Sequence, residues 1–182
     1  MKRSRRWIVT GEIGSGKSTF CQQAAETGKR SGLKLGGLLS PAVFEGGTKI
    51  AIQAVNLKNN QARQLATLRR SGDAGLTTKR WTFIPETVKW GNEVLSRAVP
   101  CDLLIIDELG PLEFERGEGW FEGLQAVDGG NYTGALVVIR PLLIKQARQR
   151  WPDAEVVEIN PGDDLGKRAE QICSSLFEPL GK

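Results

Sequence analysis

The sequence contains no histidine at all. That absence excludes Ser-His-Asp and Cys-His catalysis, and most zinc chemistry with them. It has three cysteines, Cys21, Cys101 and Cys173, and none of them lies in a C-x-x-C pair, so we expect reduced, packed thiols. No stretch approaches the roughly 18 apolar residues that a membrane span requires. We therefore expect a cytoplasmic protein that does not enter a membrane.

The composition is that of one ordinary globular domain. The chain has 182 residues, of which 40% are hydrophobic and 25% charged, without repeats or a linker, so residues 1–182 are predicted to form a single domain. The net charge of +4 hides an asymmetry, because residues 1–100 carry 17 Lys and Arg against 6 Asp and Glu, whereas residues 101–182 carry 8 against 15. A basic half favours an anionic partner, either a nucleotide or RNA. We expect a monomer or a weak oligomer.

Apolar runs alternate with helical spacing along most of the chain, which predicts an α/β fold. Strands are expected at residues 7–10, 103–106, 135–139 and 155–159. Helices are expected at 17–30, from Pro85, at 120–127, after Pro141 and from about Asp163. The runs 103–106 and 135–139 are wholly apolar, as strands covered on both faces require. These patterns predict a three-layer fold with a mostly parallel central sheet.

One region departs from this alternation. Two strand-like runs, residues 33–44 and 49–57, are joined by Glu45-Gly46-Gly47-Thr48, and residues 61–68 resemble a further strand. A Gly-Gly pair between β-rich runs indicates a hairpin. We therefore predict an antiparallel β-hairpin inserted after the first helix.

A phosphate-binding loop lies between the first strand and the first helix. Residues 11–18 fit G-x-x-x-x-G-K-[ST] at every fixed position. Its glycines let backbone N–H groups point at phosphate oxygens, Lys17 brings a cation to the β- and γ-phosphates, and the Ser18 hydroxyl is a ligand for Mg²⁺. The fold is thus predicted to be that of the P-loop NTPases. The predicted nucleotide-binding residues are Gly11, Glu12, Ile13, Gly14, Ser15, Gly16, Lys17, Ser18 and Thr19.

Two consecutive carboxylates follow the buried run at residues 103–106. Ligands of open α/β sheets bind at the carboxyl ends of the strands, so Asp107 is placed to anchor Mg²⁺ together with Ser18. The adjacent Glu108 is placed to orient or deprotonate the attacking water. The structural alternatives are a strand-end helix cap for Asp107 and a solvated carboxylate for Glu108.

The P-loop and the segment Ile105-Ile106-Asp107-Glu108-Leu109-Gly110-Pro111-Leu112-Glu113 together resemble a known family. It is the family of small nucleoside-triphosphatases described from thermophiles and, in animals, as the cancer-related nucleoside-triphosphatase. The glycines at 36, 37, 46 and 47 resemble that family's region after the first helix. The resemblance implies Mg²⁺-dependent hydrolysis of ATP, GTP and other nucleoside triphosphates. It also implies functional roles for residues 11–18 and for Asp107 and Glu108.

Other polar and aromatic residues allow competing interpretations. Arg140 directly follows the predicted strand 135–139 and is a candidate for stabilising the transition state, with a surface salt bridge as the equal alternative. Surface salt bridges are favoured for Arg116, Arg148 and Arg150. Residues 58–80 are basic and could contact nucleic acid, although a solvated face is favoured because no aromatic residues are interleaved. Packing is favoured over base stacking for four tryptophans, Trp81, Trp90, Trp120 and Trp151.

Three functions remain open from the sequence. The favoured one is an NTPase with water as the acceptor. A nucleotide or nucleoside kinase is the second, in which Glu108 would hold an acceptor hydroxyl and Arg140, Arg148 and Arg150 would belong to a lid. The third is a nucleotide-gated module that uses residues 58–80 to bind RNA or protein with little turnover.

Overall fold

The computed structural model of the protein describes residues 4–178, which form nine β-strands and six α-helices. The strands are Arg5–Thr10 (β1), Leu35–Leu39 (β2), Ala42–Glu45 (β3), Thr48–Asn56 (β4), Ala62–Leu68 (β5), Trp81–Phe83 (β6), Cys101–Leu109 (β7), Tyr132–Ile139 (β8) and Glu155–Glu158 (β9). The helices are Lys17–Arg30 (α1), Pro85–Ser96 (α2), Pro111–Arg116 (α3), Phe121–Gly129 (α4), Ile144–Arg150 (α5) and Leu165–Ser175 (α6).

All nine strands belong to one sheet, in the order β6-β5-β4-β2-β7-β8-β1-β9, with β3 paired to β4. Five neighbouring strands, from β2 to β9 in that order, are parallel. Their carboxyl ends lie at one edge of the sheet, which we call the carboxyl edge. The predicted mostly parallel central sheet is confirmed.

The antiparallel insertion is also confirmed, and it is larger than a single hairpin. Gly46 and Gly47 both have positive φ, 54° and 79°, in a two-residue turn between β3 and β4. Strands β5 and β6 then add to β4 by further antiparallel pairing. The predicted run 33–44 is divided into β2 and β3 at Ser40 and Pro41, because β2 pairs with the parallel strand β7 whereas β3 pairs only with β4.

Helices cover the sheet on both faces. Helices α1 and α6 pack on one face through Phe20, Ala24 and Ile172, among others. Helices α2, α4 and α5 pack on the opposite face, where Trp90 and Leu124 are buried. Alternate residues of β7 enter the two cores, as a strand covered on both sides requires. The result is the predicted three-layer architecture.

Several local features differ from the sequence prediction. The short helix α3 was not predicted, because residues 111–116 are too few to show a helical period. The last helix begins at Leu165, after the predicted start near Asp163, and is capped by Asp164, whose carboxylate accepts a hydrogen bond from the Lys167 N–H. Asp163 instead accepts hydrogen bonds from the Asn160 N–H and the Arg168 guanidinium.

The packing interpretation of the aromatic and thiol side chains agrees with the structure. All four tryptophans in question, Trp81, Trp90, Trp120 and Trp151, are at most 8% exposed. The three cysteines are buried and none forms a disulfide. Across residues 4–178, no helix is both long and apolar enough to cross a membrane.

The contact between α2 and α4 depends on a glycine, which gives a test of the packing. A Cβ at Gly91 would lie 2.1 Å from the Trp120 ring. We expect Gly91→Ala to lower the free energy of unfolding by about 1–3 kcal/mol, because the overpacked ring must move. Alanine's higher helix propensity, worth about 1 kcal/mol, opposes this loss. Urea denaturation measures the difference.

The matched control is Gly129→Ala, at the last residue of α4, where nothing lies within 4 Å of the added Cβ. This control should be at least as stable as the wild type. A Gly91→Ala protein as stable as the Gly129→Ala control would mean that the Trp120 ring does not pack on this position in solution.

Candidate active site

Most of the polar residues singled out in the sequence converge at the carboxyl edge. The P-loop follows β1, Asp107 and Glu108 lie near the end of β7, and Arg140 follows β8 directly. Ser40 follows β2, the neighbour of β7. Because these strands are parallel, their following residues meet at the same edge, where open α/β sheets bind ligands.

The P-loop wraps tightly because two glycines permit it. Gly11 has φ 148°, and a Cβ there would lie 2.3 Å from the Ile159 carbonyl oxygen. Gly16, directly before α1, has φ 102° in the left-handed region, which side-chain-bearing residues rarely adopt. The loop can therefore turn sharply from β1 into the helix.

The first turn of α1 presents free backbone donors and a cation. No side chain caps the helix and no acidic residue occupies its first turn, so its N–H groups remain available to an anion. The Lys17 ammonium donates hydrogen bonds to the carbonyl oxygens of Gly11 and Glu12, each at 2.7 Å. Partial burial lowers the pKa of Lys17, whereas the nearby carboxylates of Glu108 and Asp107 raise it. The loop is thus a cationic cradle that fits phosphate.

Asp107 joins three parts of the fold. The Ser18 hydroxyl donates a hydrogen bond to Asp107 Oδ1 at 3.1 Å, and the Ser40 N–H donates to Oδ2 at 3.0 Å. The residue is only 3% exposed. Burial raises the pKa of Asp107 to about 6, although the hydrogen bonds from Ser40 and Ser18 lower it. A buried carboxylate in this position is stabilised by a cation.

A β-bulge gives Asp107 and Glu108 different environments. Ile106 pairs with Val137 and Leu109 with Ile139, so two residues of β7 oppose one residue of β8. Glu108 has φ 103°, an uncommon value for a residue other than glycine. Asp107 is buried, whereas Glu108 is partly exposed.

The bulge also brings Glu108 to Arg140. The Arg140 Nε donates a hydrogen bond to Glu108 Oε1, and the two side chains are 47% and 37% exposed. The guanidinium therefore holds the carboxylate at the mouth of the site. Strained backbone of this kind clusters at functional sites, because the surrounding structure must hold it.

The oxygen groups at this edge fit a magnesium ion. Within residues 4–178, three of the five buried side-chain polar atoms without a hydrogen-bond partner are hydroxyls of Thr10, Ser15 and Ser40, all at or beside the P-loop and Asp107. No cluster of three or more His, Cys, Asp or Glu able to hold a metal occurs in this part of the chain. A nucleotide-bound Mg²⁺ needs no such cluster, since it takes most ligands from water and phosphate. Ser18 and Asp107 could hold it, with Ser40 alongside.

Other arginines lie outside this constellation. Arg116 pairs with Glu118, and Arg150 pairs with Asp128, both at 2.5 Å. Asp128 lies near the end of α4, far from the carboxyl edge at which that helix begins. The salt-bridge interpretation of Arg116 and Arg150 is confirmed, while Arg148 is exposed on α5.

Sequence reasoning missed two residues that support the site. Ser40 carries the same signal as Asp107, a polar residue at the end of an apolar strand, but its pairing with Asp107 depends on strand order. Glu113 is 7% exposed and accepts hydrogen bonds from the N–H groups of Gly110 at 2.7 Å and Trp120 at 2.6 Å. Burial raises the pKa of Glu113 to about 7, and these backbone N–H groups lower it. The carboxylate fixes the chain that leaves β7 beyond Glu108.

Comparisons with known proteins point to one group of enzymes. A family model described as NTPase matches residues 6–139. The nucleoside-triphosphatase THEP1 of Methanopyrus kandleri is 28% identical over 179 residues, which cover 94% of this chain and 97% of that protein. THEP1 of Pyrobaculum aerophilum is 36% identical over 107 residues, covering 59% of this chain and 58% of that protein.

Two solved structures share the fold. The solution structure of a human cancer-related nucleoside triphosphatase superposes with a TM-score of 0.71 at 21% identity, over 98% of this chain and 100% of that one. The crystal structure of THEP1 from Aquifex aeolicus gives a TM-score of 0.71 at 18% identity, over 95% and 99%. At these identities the likeness shows the fold alone.

The buried contacts of Glu113 give a test of the support behind the site. Glu113→Ala leaves two buried N–H groups, those of Gly110 and Trp120, without their acceptor. We expect the free energy of unfolding to fall by about 2–6 kcal/mol, at about 1–3 kcal/mol for each unpaired group. Urea denaturation measures it. Glu115→Ala, an exposed charge loss on the same helix, is the control and should change stability by less than about 0.5 kcal/mol. Equal losses in the two variants would contradict the role of Glu113.

Proposed function

The chain belongs to the NTPase family, and on that premise we propose that it hydrolyses nucleoside triphosphates, ATP and GTP among them, to the diphosphate and phosphate, with Mg²⁺ as cofactor. The family membership expected from the P-loop and the Asp107-Glu108 segment is confirmed by the match over residues 6–139. The observation that carries the proposal is the contact of Ser18 Oγ with Asp107 Oδ1 at 3.1 Å, beside Lys17 and Glu108.

The phosphates are the part of the substrate that this edge suits. The free N–H groups at the start of α1 would bind β-phosphate oxygens, and Lys17 would exchange its two loop carbonyls for the β- and γ-phosphates. Ser18 and Asp107 would hold Mg²⁺, which supplies charge neutralisation between these phosphates when bound. Asp107 then has the cation that its burial requires.

Glu108 is the group proposed to act on water. In hydrolysis the water oxygen forms a bond to the γ-phosphorus, the bond from that phosphorus to the bridging oxygen breaks, and its electron pair passes to the diphosphate. Glu108 orients the water and accepts its proton, since its side chain reaches the mouth of the site. Arg140 holds Glu108 and lies where it could also contact the γ-phosphate.

The kinase and the nucleotide-gated binding module have less support from the contacts of their expected residues. A kinase lid would use arginines free to reach phosphate, yet Arg150 is engaged with Asp128 away from the carboxyl edge. In the basic stretch 58–80, Arg63 and Arg80 lie over the rings of Trp90 and Trp81, and Lys58 donates to the Arg97 carbonyl oxygen. These cations have local partners within the fold, which favours a solvated face over a nucleic-acid surface.

Phosphate release from ATP and from GTP, with and without added nucleosides, tests the function. We expect release from both nucleotides in the presence of Mg²⁺ without any acceptor, and none from Lys17→Ala, because no other P-loop residue brings a cation to the phosphates. Transfer to a nucleoside would instead support the kinase. Tight nucleotide binding without release would support the binding module.

Glu108→Gln tests the proposed base. The amide keeps the shape and reach of the side chain but cannot accept the proton, so kcat should fall by about 10²–10⁴-fold while nucleotide affinity survives. Single-turnover phosphate release and equilibrium binding measure the two quantities separately. A nearly unchanged kcat with a raised KM would make Glu108 a binding residue.

The control for that variant is its Mg²⁺ dependence, because Asp107 is the neighbouring residue. The Mg²⁺ concentration for half-maximal rate should stay at the wild-type value in Glu108→Gln and rise in Asp107→Asn, which loses the proposed anchor. An unchanged Mg²⁺ titration in Asp107→Asn would remove this residue from the metal's surroundings.

A further inference from the structure

The inserted hairpin extends past the carboxyl edge of the parallel sheet. Leu39, the last residue of β2, pairs with Val55 of β4, and the part of β4 before Gln53 pairs with β3 and β5 but not with β2. The register shifts show one extra residue in β4, Ile50, opposite β3, and one extra residue in β5, Leu65, opposite β4, and such bulges bend the strands that carry them. The start of β4 therefore lies beyond the strand ends that carry the candidate site.

Lys49, near the start of β4, is held in place by an aromatic ring. Its Nζ lies 5.0 Å from the centroid of the Trp81 ring, and the Arg80 guanidinium carbon lies 5.3 Å from the same centroid. Trp81 is 7% exposed and pairs with Leu68 in the sheet, so the ring is part of the core. Lys49 is half-buried, whereas residues 44–48 of the hairpin are all exposed. A cation–π contact on a fixed ring thus orients this side chain.

Three charged groups of the candidate site, Glu108, Asp107 and Arg140, act on Lys49. Burial lowers the pKa of Lys49, Glu108 and Asp107 raise it, and Arg80 and Arg140 lower it. Reciprocally, Lys49 lowers the pKa of Asp107. Within residues 4–178 the Lys49 ammonium takes part in none of the five salt bridges. A half-buried cation without a carboxylate partner is poorly solvated, and an anionic ligand would stabilise it.

Lys49 and Lys17 approach the end of β7 from opposite sides. In the sheet, β7 has β2 on one side and β8 on the other, and β1 lies beyond β8. Strand β2 leads into the hairpin, and β1 leads into the P-loop. Strands are about 4.8 Å apart, so β1 and β2 are separated by about 14 Å, enough for a triphosphate to lie between the two loops. The γ-phosphate would be the part nearest Asp107 and Glu108.

We propose that Lys49 is a second cationic ligand of the γ-phosphate, supplied by the antiparallel insertion, which stabilises the charge on the transferring phosphoryl group. The proposal rests on the proposed NTPase function and concerns the same site. Lys49 remains protonated and transfers no proton, since Glu108 accepts the proton of water. Its contribution is a preorganised positive charge on the side of the phosphoryl group away from the P-loop.

The test is Lys49→Met, which keeps a long unbranched side chain against Trp81 but removes the charge. We expect kcat for ATP to fall by about 10²-fold, as when one donor to a developing oxyanion is removed. ADP affinity, measured by calorimetry with Mg²⁺, should change little, whereas affinity for ADP with aluminium fluoride should fall by a factor close to that in kcat. Lys49→Arg should recover part of both losses. The matched control is Lys79→Met, an exposed lysine of the basic stretch, which should behave as the wild type.

The outcomes separate this role from the others. The proposal would be overturned if Lys49→Met had the same kcat as the wild type and the same affinity for ADP with aluminium fluoride. It would also be overturned if Lys49→Met lost affinity equally for ADP and for ADP with aluminium fluoride, because Lys49 would then contact the diphosphate. Similar losses in Lys79→Met would show a general electrostatic attraction and overturn it too. If the wild type released no phosphate, the proposed function would fail. A difference between ADP and a non-hydrolysable ATP analogue in their sensitivity to Lys49→Met would then still decide whether Lys49 contacts the γ-phosphate.

Discussion

The carboxylate of Asp107 is the point on which the arrangement of the site depends. Its two oxygens accept hydrogen bonds from Ser18, at the start of α1, and from Ser40, at the end of β2. A single buried carboxylate thereby ties the P-loop helix and the strand before the insertion to β7. Burial also raises the pKa of this group to about 6, so a nearby cation would stabilise its charged form. The same buried carboxylate therefore links these three segments and is the group proposed to anchor Mg²⁺.

The bulge in β7 places two adjacent carboxylates, Asp107 and Glu108, in different surroundings. Ile106 and Leu109 both face the core beneath α2 and α4, although they are three residues apart. A regular strand, with its period of two, would turn them to opposite faces. Because of the extra residue, Leu109 faces the same core as Ile106, and Glu108 adopts an unusual positive φ. As a result Asp107 is buried and Glu108 lies at the mouth of the site beside Arg140.

The charge asymmetry of the chain has a place in this geometry. The basic first half contributes Lys17 and Lys49, and the acidic second half contributes Asp107 and Glu108. The two halves meet at the carboxyl edge, where β1 and β2 lie on either side of β7 and β8. Opposite charges from distant parts of the sequence thus converge at the edge that is proposed to bind a nucleotide with Mg²⁺.

The P-loop, the order of most elements and the position of Asp107 near the end of β7 could all be predicted from the amino-acid sequence. These are local properties, since the P-loop spacing, the apolar runs and the Gly-Gly turn each lie within a short segment. Three contacts could be seen only in the folded protein: the Ser40 N–H donates to Asp107, Glu113 accepts from the N–H groups of Gly110 and Trp120, and Lys49 lies over the Trp81 ring. Each of those contacts depends on strand order, a bulge or a turn between distant segments. Such contacts have no signature in the spacing of neighbouring residues, because the side chains meet only after the sheet has assembled.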